Sequence, residues 1–300
     1  MKQTILVAGG TGNLGERIVR ALLARNAEVR VLSRLSSDSN KLKHLEALGA
    51  LILKVDMSKT EEIKKACIGV SCVVSALAGL KEVVIDIQRN LLAGAVAAGV
   101  PRFIPSDYSL DFTQLTPGGN RNLDLRREFH SYLDKAPIAA TSIFNGPFTE
   151  LLTKEMPMIV PKIKSVIYWG DADQKLDFTT MDDTAAFTAE AALDYSTPRY
   201  LWIAGDQISA REIKDVQTEL TGKKFFLVRA GGLGLLNTFI KVGQTLSPAN
   251  KELYPAWQGM QYMRDMAEGK AKVQLYDNDR YGETKWTKVK DVLGINGLVD

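Results

Sequence analysis

The chain begins with a stretch that decides its fold, Thr4-Ile-Leu-Val-Ala-Gly-Gly-Thr-Gly-Asn-Leu-Gly15. The apolar run Ile5–Ala8 predicts a buried strand, and Gly9, Gly12 and Gly15 follow it at the spacing G-x-x-G-x-x-G. An amphipathic stretch with helical spacing comes next. A strand, a glycine turn and a helix in this order form a diphosphate cradle, because the glycines allow close approach and the helix offers unpaired N–H groups. The stretch therefore predicts a dinucleotide site.

The second predicted strand, Glu28–Ser33, indicates which dinucleotide binds. Sites that select NAD place an acidic residue about 20 residues after the glycines, where it accepts hydrogen bonds from the ribose 2′-OH. Here Ser33 and Arg34 occupy that position. A guanidinium suits the geometry of a 2′-phosphate, so Arg34 predicts NADP(H) rather than NAD(H). The alternative is a solvated arginine in a loop.

The composition of the chain excludes several classes of protein. Its 300 residues are 45% hydrophobic and 24% charged, which is typical of a globular protein, and the net charge of +3 is too small to favour nucleic acid. Two histidines and two cysteines lack the spacing of metal ligands, so we expect no metal site. No apolar run approaches the ~20 residues of a membrane span. Cys67 and Cys72 fall in predicted core segments, which favours buried thiols in a reducing, cytoplasmic compartment.

Strand and helix patterns alternate through residue 146, which predicts an α/β protein with a doubly wound parallel sheet of Rossmann type. We place the dinucleotide-binding domain at residues 1–150, with contributions to the sheet from about 175–205. Residues 151–300, in which the alternation loosens, are assigned to a smaller α/β substrate-binding lobe.

Several elements carry specific predictions. Ser58 and Glu61 have the spacing of a capping box that would open a helix, and Ile138–Ile143 has the pattern of a sixth strand. The remaining elements lie in the second half: helices at Ser209–Leu220, Leu233–Leu246 and Ala256–Glu268, a strand at Lys272–Tyr276, and a turn at Gly231–Gly234.

Four segments together resemble the NmrA-like and isoflavone-reductase-like branch of the atypical short-chain dehydrogenases. They are Gly9–Gly15, Ala97–Ser106, Asp177–Thr184 and Ala204–Glu212. The resemblance covers most of residues 1–225 and implies a Rossmann domain that binds NADP(H).

The resemblance also implies which positions contact each part of the cofactor. Residues expected to hold the diphosphate are Gly9, Thr11, Gly12, Asn13 and Leu14, and Arg34 is expected to hold the 2′-phosphate. Asp56 and Met57 would flank the adenine, and Ser75, Ala76 and Leu77 would lie under the nicotinamide ribose. Asn145, Gly146 and Phe148 would border the nicotinamide. Two of these residues have a purely structural alternative. Asp56 would only precede the Ser58 cap, and Ser75 would only satisfy a backbone group at the end of its strand.

The proton donor for a hydride reduction is harder to assign. The Tyr-x-x-x-Lys pair of short-chain dehydrogenases is missing from the expected helix, and Arg126 stands where the resembled reductases have a lysine. An arginine keeps the charge but is a poor proton donor, which favours a binding role. Tyr108, after the fifth strand, and His130, one helical turn beyond Arg126, are the other candidates.

Two functions stay open at this point. The first is an NADPH-dependent reductase of a small carbonyl or enone compound. The second is a non-catalytic NADP(H)-binding redox sensor, similar to transcriptional regulators of NmrA type, that acts on a protein partner. The oligomeric state is left open by the sequence.

Overall fold

A computed structural model describes residues 2–248, 251–283 and 285–295 of the chain. The first half contains strands β1 Thr4–Ala8, β2 Glu28–Ser33, β3 Leu51–Lys54, β4 Cys72–Ser75, β5 Arg102–Ile104, β6 Ala139–Ala140 and β7 Ser142–Phe144. Between them lie helices α1 Asn13–Ala24, α2 Ser39–Ala47, α3 Thr60–Cys67, α4 Gln88–Ala97 and α5 Arg121–Leu133, with a π-helical segment at Glu82–Ile87 directly before α4.

The second half contains six strands and six α-helices within the described ranges. The strands are β8 Ile159–Val160, β9 Ser165–Trp169, β10 Leu176–Phe178, β11 Tyr200–Trp202, β12 Asp206–Ile208 and β13 Phe226–Gly231. The helices, after the single turn α6 Leu151–Lys154, are α7 Met181–Leu193, α8 Ala210–Thr221, α9 Leu233–Leu246, α10 Ala256–Glu268 and α11 Val289–Ile295.

Six strands form one parallel sheet in the order β3-β2-β1-β4-β5-β6. The strand order reverses between β1 and β4, which is where doubly wound sheets bind ligands beyond the carboxyl ends of their strands. All five residues of β1 are buried, as expected for a central strand covered on both faces by helices. The predicted Rossmann-type parallel sheet is confirmed.

The chain divides into two compact units that interleave along the sequence. The first unit contains the described residues up to Tyr108, with Leu125–Phe144 and Met181–Leu201. The second contains Ser109–Asp124, Asn145–Thr180 and the described residues from Trp202 onward. Within the second unit, β10 pairs with β12, and β8, β9 and β13 form a three-stranded sheet. The division into domains near residue 150 stays a prediction.

The capping box predicted at Ser58 is wrong. Helix α3 begins at Thr60 without a side-chain cap, because Ser58 donates both its N–H and its hydroxyl to Asp56 Oδ1, at 3.0 and 2.6 Å. The Asp56 N–H donates to Glu62 Oε2 at 2.8 Å, so Glu62 reaches back in place of Glu61. Local hydrogen bonding to an aspartate competes with the serine cap.

The predicted sixth strand is two short strands with different partners. Ala139–Ala140 pairs with β5, whereas Ser142–Phe144 pairs with β11. Thr141 lies between them and donates its hydroxyl to the Pro198 carbonyl at 2.9 Å. The apolar run was visible in the sequence, but the change of partner depends on a segment about 60 residues away, at Pro198 to Tyr200.

The strand predicted at Lys272–Tyr276 is absent from the described structure, where that segment has no ladder hydrogen bonds. Side-chain contacts hold it instead, as described below. The helices Leu233–Leu246 and Ala256–Glu268 have the predicted bounds. Of the turn predicted at Gly231–Gly234, only Gly232 lies between β13 and α9, where it caps the helix. The helix predicted at Ser209–Leu220 is also present, with a capping box formed by Ser209 and Glu212.

Candidate cofactor site

The glycines after β1 are required by close contacts within the first unit. Gly9 has a φ of +84°, and a Cβ atom there would lie 2.6 Å from the Ala76 carbonyl oxygen. A Cβ atom on Gly15 would lie 2.1 Å from the Gly9 carbonyl oxygen. Both separations are shorter than real Cβ contacts, so any larger residue would displace the backbone. The loop is therefore packed against the end of β4 and against the first turn of α1.

The N-terminal end of α1 is open to an anion. Gly12 caps the helix without a side-chain hydrogen bond, so among the described residues no side chain caps the N–H groups of the first turn, which includes Asn13 and Leu14. These N–H groups and the positive end of the helix dipole favour a phosphate. The one acidic residue in this turn, Glu16, pairs with Arg20 at 2.7 Å, and this hydrogen bond lowers the pKa of Glu16.

Two cationic side chains lie near the cradle and the end of β2. Arg34 is exposed, and within the described ranges no acidic side chain forms an ion pair with it. Asp38, the acid closest in sequence, accepts hydrogen bonds from Asn40 and Lys41 N–H groups as the cap of α2. Lys41 Nζ lies 3.4 Å from the Thr11 carbonyl oxygen. The charge of Arg34 is therefore available to a phosphate.

The loop after β3 is held in place from two sides. Asp56 accepts two hydrogen bonds from Ser58, and these lower the pKa of the Asp56 carboxyl. Met57 is buried, and its carbonyl oxygen accepts a hydrogen bond from Asn90 Nδ2 at 3.3 Å. This conformation keeps Asp56 and Met57 at the carboxyl end of β3, at the same edge of the sheet as the glycine loop.

The loop after β4 reaches the same edge. Ala76 N–H donates to the Ala8 carbonyl at 2.8 Å, and the Ala76 carbonyl faces Gly9. Ser75 is fully buried, and its hydroxyl has no hydrogen-bond partner among the described residues. The structure thus brings the expected cofactor residues of the first unit to the ends of four adjacent strands, at Gly9 to Leu14, Arg34, Asp56–Met57 and Ser75–Leu77.

The two catalytic candidates have different surroundings. Arg126 is half-buried, and its Nε donates to the Ser106 carbonyl at 3.0 Å. Tyr108 is buried, and burial raises the pKa of its hydroxyl. A raised pKa makes the phenol a weaker acid, which opposes a role as proton donor. Catalytic roles for both residues stay predictions.

His130 belongs to a buried polar network in the first unit. Its Nε2 lies 2.7 Å from Asp107 Oδ2, and the Ser142 hydroxyl donates to the same oxygen at 2.6 Å. Arg199 Nη1 donates to Ser142 Oγ at 2.7 Å. Burial raises the pKa of the Asp107 carboxyl, but His130 and Ser142 outweigh that effect, so the pKa is lowered overall. Both nitrogens of His130 face protein groups, since Arg199 Nη2 lies 3.3 Å from Nδ1.

The remaining expected cofactor residues, Asn145, Gly146 and Phe148, lie in the second unit. Gly146 has a φ of +65°, and a Cβ atom there would lie 2.2 Å from the Asp177 carbonyl oxygen. Asn145 is fully buried, and neither atom of its side-chain amide has a partner among the described residues. Buried amides without partners are rare in proteins.

The second unit contains a cluster of polar side chains around Asp177 that was not predicted from the sequence. Asp177 accepts hydrogen bonds from Lys272 Nζ at 2.6 Å, Tyr276 Oη at 2.7 Å and Gln207 Nε2 at 2.8 Å. The pKa of Tyr276 is raised, mainly by burial and secondly by its hydrogen bond to Asp177. The alternating pattern that predicted a strand at Lys272–Tyr276 places Lys272 and Tyr276 on the same face. That shared polar face is the one sequence signal that could have indicated the cluster. These contacts replace the ladder hydrogen bonds of the predicted strand.

Three further observations concern metal ligands, membrane spans and cysteines. Within the described ranges, no three His, Cys, Asp or Glu side chains are grouped closely enough to hold a metal ion. Of the helices that the structure describes, none combines the length and the apolar character of a membrane span. Cys67 and Cys72 are buried free thiols.

Known proteins resemble the chain over most of its length. Pinoresinol reductase 2 of Arabidopsis thaliana is 30% identical over 240 residues, which are 74% of this chain and 76% of the relative. A bifunctional pinoresinol-lariciresinol reductase of Linum usitatissimum is 28% identical over 236 residues, covering 73% of this chain and 75% of that protein.

Solved structures agree with the fold. A structure of AtPrR2 with NADP+ and (+)pinoresinol matches with a TM-score of 0.85 at 25% identity, covering 99% of each chain. An isoflavone reductase structure matches with a TM-score of 0.83 at 19% identity, over 98% of this chain and 99% of that one. The model of the NmrA-like family matches residues 1–289, and the chain therefore belongs to the NmrA-like family.

Proposed function

We propose that this protein is an NADPH-dependent reductase of a small phenolic compound. The observation that carries the proposal is the N-terminal end of α1, which has no side-chain cap and lies beside Gly9 and Gly15, where a Cβ atom would overlap the backbone. In the described parts of the chain, Arg34 forms no ion pair with an acidic side chain. Support for the reaction comes from the relatives, which are reductases of pinoresinol and lariciresinol. The AtPrR2 structure contains NADP+ together with a phenolic ligand.

The residues of the first unit fit NADP(H) part by part. The first-turn N–H groups of α1 would bind the diphosphate, and Arg34 would bind the 2′-phosphate with Lys41 adding positive charge. The loops after β3 and β4 would hold the adenine and the nicotinamide ribose. In the second unit, the buried amide of Asn145 is a candidate partner for the nicotinamide, beside Gly146 and Phe148. When bound, NADPH supplies a hydride.

Arg126 would bind an oxygen of the substrate or of the nicotinamide ribose. A guanidinium carries a positive charge, so Arg126 can stabilise negative charge on an oxygen but is a poor proton donor. Tyr108 is a poor donor because burial raises its pKa. We therefore infer that the proton comes from solvent or from a hydroxyl of the phenolic substrate.

The proposal is tested by the oxidation of NADPH in the presence of pinoresinol, related lignans, enones and quinones. We expect turnover with a phenolic compound and a lower kcat for Arg126→Ala, with NADPH still bound. Lys135→Ala serves as a control, because Lys135 is an exposed cation just beyond the end of α5. NADPH binding without turnover of any compound in the panel would contradict the proposal.

A second candidate function is a non-catalytic NADP(H) sensor that acts on a protein partner. The observation in its favour is that both catalytic candidates of the first unit have roles in its interior, Arg126 on the Ser106 carbonyl and Tyr108 in the core. An NADPH-dependent association with a protein partner, without turnover, would support the sensor. We propose a cytoplasmic location on the basis of the buried free thiols, which suit a reducing compartment.

A further inference from the structure

Ser106, two residues after β5, hydrogen-bonds to three separate parts of the first unit. Its hydroxyl donates to the Leu77 carbonyl at 2.6 Å, and its N–H donates to Gln88 Oε1 at 3.0 Å. Its carbonyl accepts the hydrogen bond from Arg126 Nε at 3.0 Å. Ser106 is only 5% exposed, so water cannot easily replace these contacts.

The side chain that holds the Ser106 N–H is itself fixed. Gln88 is fully buried at the start of α4, and its Nε2 donates to the Val84 carbonyl at 3.0 Å. Both polar atoms of the Gln88 amide are therefore bonded, and the amide has one orientation. Val84 lies in the π-helical segment, and such segments often occur beside functional sites.

The Ser106 hydroxyl acts on the loop that is proposed to lie under the nicotinamide ribose. That loop runs from Ser75 to Leu77, and its middle residue Ala76 already contacts Gly9. The Ser106 hydroxyl bonds the Leu77 carbonyl, whereas Gly9 lies against the Ala76 carbonyl and the Leu77 nitrogen. The contact with Gly9 is steric, whereas the hydrogen bond from Ser106 fixes the orientation of the Leu77 carbonyl.

We infer that Ser106 is a positioning residue that couples the nicotinamide-side loop, Ser75–Leu77, to Arg126. The inference rests on the proposed placement of the nicotinamide half of NADPH, and it does not depend on which compound is reduced. The Ser106 hydroxyl acts through Leu77, and the Ser106 carbonyl acts through Arg126. Neither group needs to touch the substrate.

A comparison of two ligands tests this role. NADPH contains the nicotinamide half, whereas adenosine 2′,5′-bisphosphate contains the adenine and the 2′-phosphate but no nicotinamide. We expect Ser106→Ala to weaken NADPH binding about 3- to 10-fold, as the loss of one buried hydrogen bond predicts, and to leave binding of the bisphosphate unchanged. Ser106→Thr keeps a hydroxyl and should restore most of the NADPH affinity.

The controls separate this role from general stabilisation. Ser131→Ala removes another serine hydroxyl that donates to a backbone carbonyl, that of Glu128, on the exposed side of α5, and should change neither affinity. If Ser106→Ala does not fold, Ser106→Cys is used, because a thiol has a similar shape but is a weak donor and should show the same selective loss. Equal weakening of both ligands, or no weakening of NADPH, would overturn the inference. If Ser106→Ala shows the selective effect but the wild-type protein reduces no phenolic compound, the proposed function alone is contradicted.

Discussion

The contact between Gly9 and the Ala76 carbonyl gives the sharpest test of the cofactor loop, by the substitution Gly9→Ala. The chain provides a matched control in Gly69, which also has a left-handed φ, +75° against +84° for Gly9. A Cβ atom on Gly69 would meet nothing within 4 Å, whereas one on Gly9 would lie 2.6 Å from the Ala76 oxygen. The two substitutions share the backbone strain and differ in the steric overlap.

The magnitudes follow from these two terms. The left-handed conformation costs an L-residue about 1–2 kcal/mol, so Gly69→Ala should lower the free energy of unfolding by that amount. Overlap in a packed region adds about 1–3 kcal/mol, which brings the expected loss for Gly9→Ala to about 2–5 kcal/mol. A typical domain has about 5–15 kcal/mol of stability, so most of this range leaves a folded protein to measure.

Urea unfolding of the two variants measures the difference in stability, and titration with NADPH measures the consequence for the site. Gly69 lies between α3 and β4, before the amino end of β4, whereas the cofactor loop contacts the segment after its carboxyl end. We therefore expect Gly69→Ala to keep the wild-type affinity for NADPH. Gly9→Ala should lose at least 10-fold, since displacement of the Gly9 or Ala76 backbone disturbs the diphosphate cradle, and a tenfold loss corresponds to about 1.4 kcal/mol. Equal destabilisation by the two substitutions, with NADPH affinity retained in Gly9→Ala, would refute the proposed packing of the loop.

Three other predictions concern charge and buried hydrogen bonds. Arg34→Glu should weaken NADPH binding at least 10-fold and change NADH binding little, because it removes a charge-assisted bond of about 1.5–3 kcal/mol to the 2′-phosphate; a parallel titration of both cofactors that finds equal losses would exclude this role. Asp107→Asn should destabilise the protein at neutral pH. Because the pKa of Asp107 is lowered in the folded protein, its carboxylate stabilises the fold above pH ~4, and this stabilisation is lost as the pH falls further. The free energies of unfolding of the variant and the wild type should therefore converge at acid pH. A difference between them that stays constant with pH would contradict this. Tyr276→Phe should cost about 1–2 kcal/mol in urea unfolding and Asp177→Ala more, because Asp177 also accepts from Lys272 and Gln207; an equal cost for both would show that Tyr276 is the essential contact.

The parts of the fold that were predictable from the sequence carry local signals. The strand, glycine turn and helix at Thr4–Ala24 are encoded by neighbouring residues, and α8 is delimited by its own cap residues, Ser209 and Gly222. Helices α9 and α10 have the bounds that their periodicity indicates. In each case the residues that determine the element lie within it or next to it in the chain.

The errors occur where distant residues decide the outcome. The segment Lys272–Tyr276 has the alternation of a strand, but its polar side chains bond to Asp177, which is 95 and 99 residues away in the chain. The sixth strand breaks at Thr141 because the segments on either side have different partners. Periodicity describes which face of an element is apolar, but it does not identify the strand or side chain on which that face packs.

The same distinction separates cofactor binding from catalysis in this protein. The diphosphate cradle lies in a single contiguous stretch, so a sequence motif can report it. The groups that would orient the nicotinamide and Arg126 meet at Ser106, whose partners Leu77, Gln88 and Arg126 lie 29, 18 and 20 residues away. Arg126 keeps a cation at the position where the resemblance implies a lysine, and the Ser106 carbonyl accepts a hydrogen bond from that cation. A reductase built in this way would bind and orient its substrate with this guanidinium and obtain its proton elsewhere, so the pH dependence of kcat should follow a substrate or solvent group and should be unchanged in Tyr108→Phe.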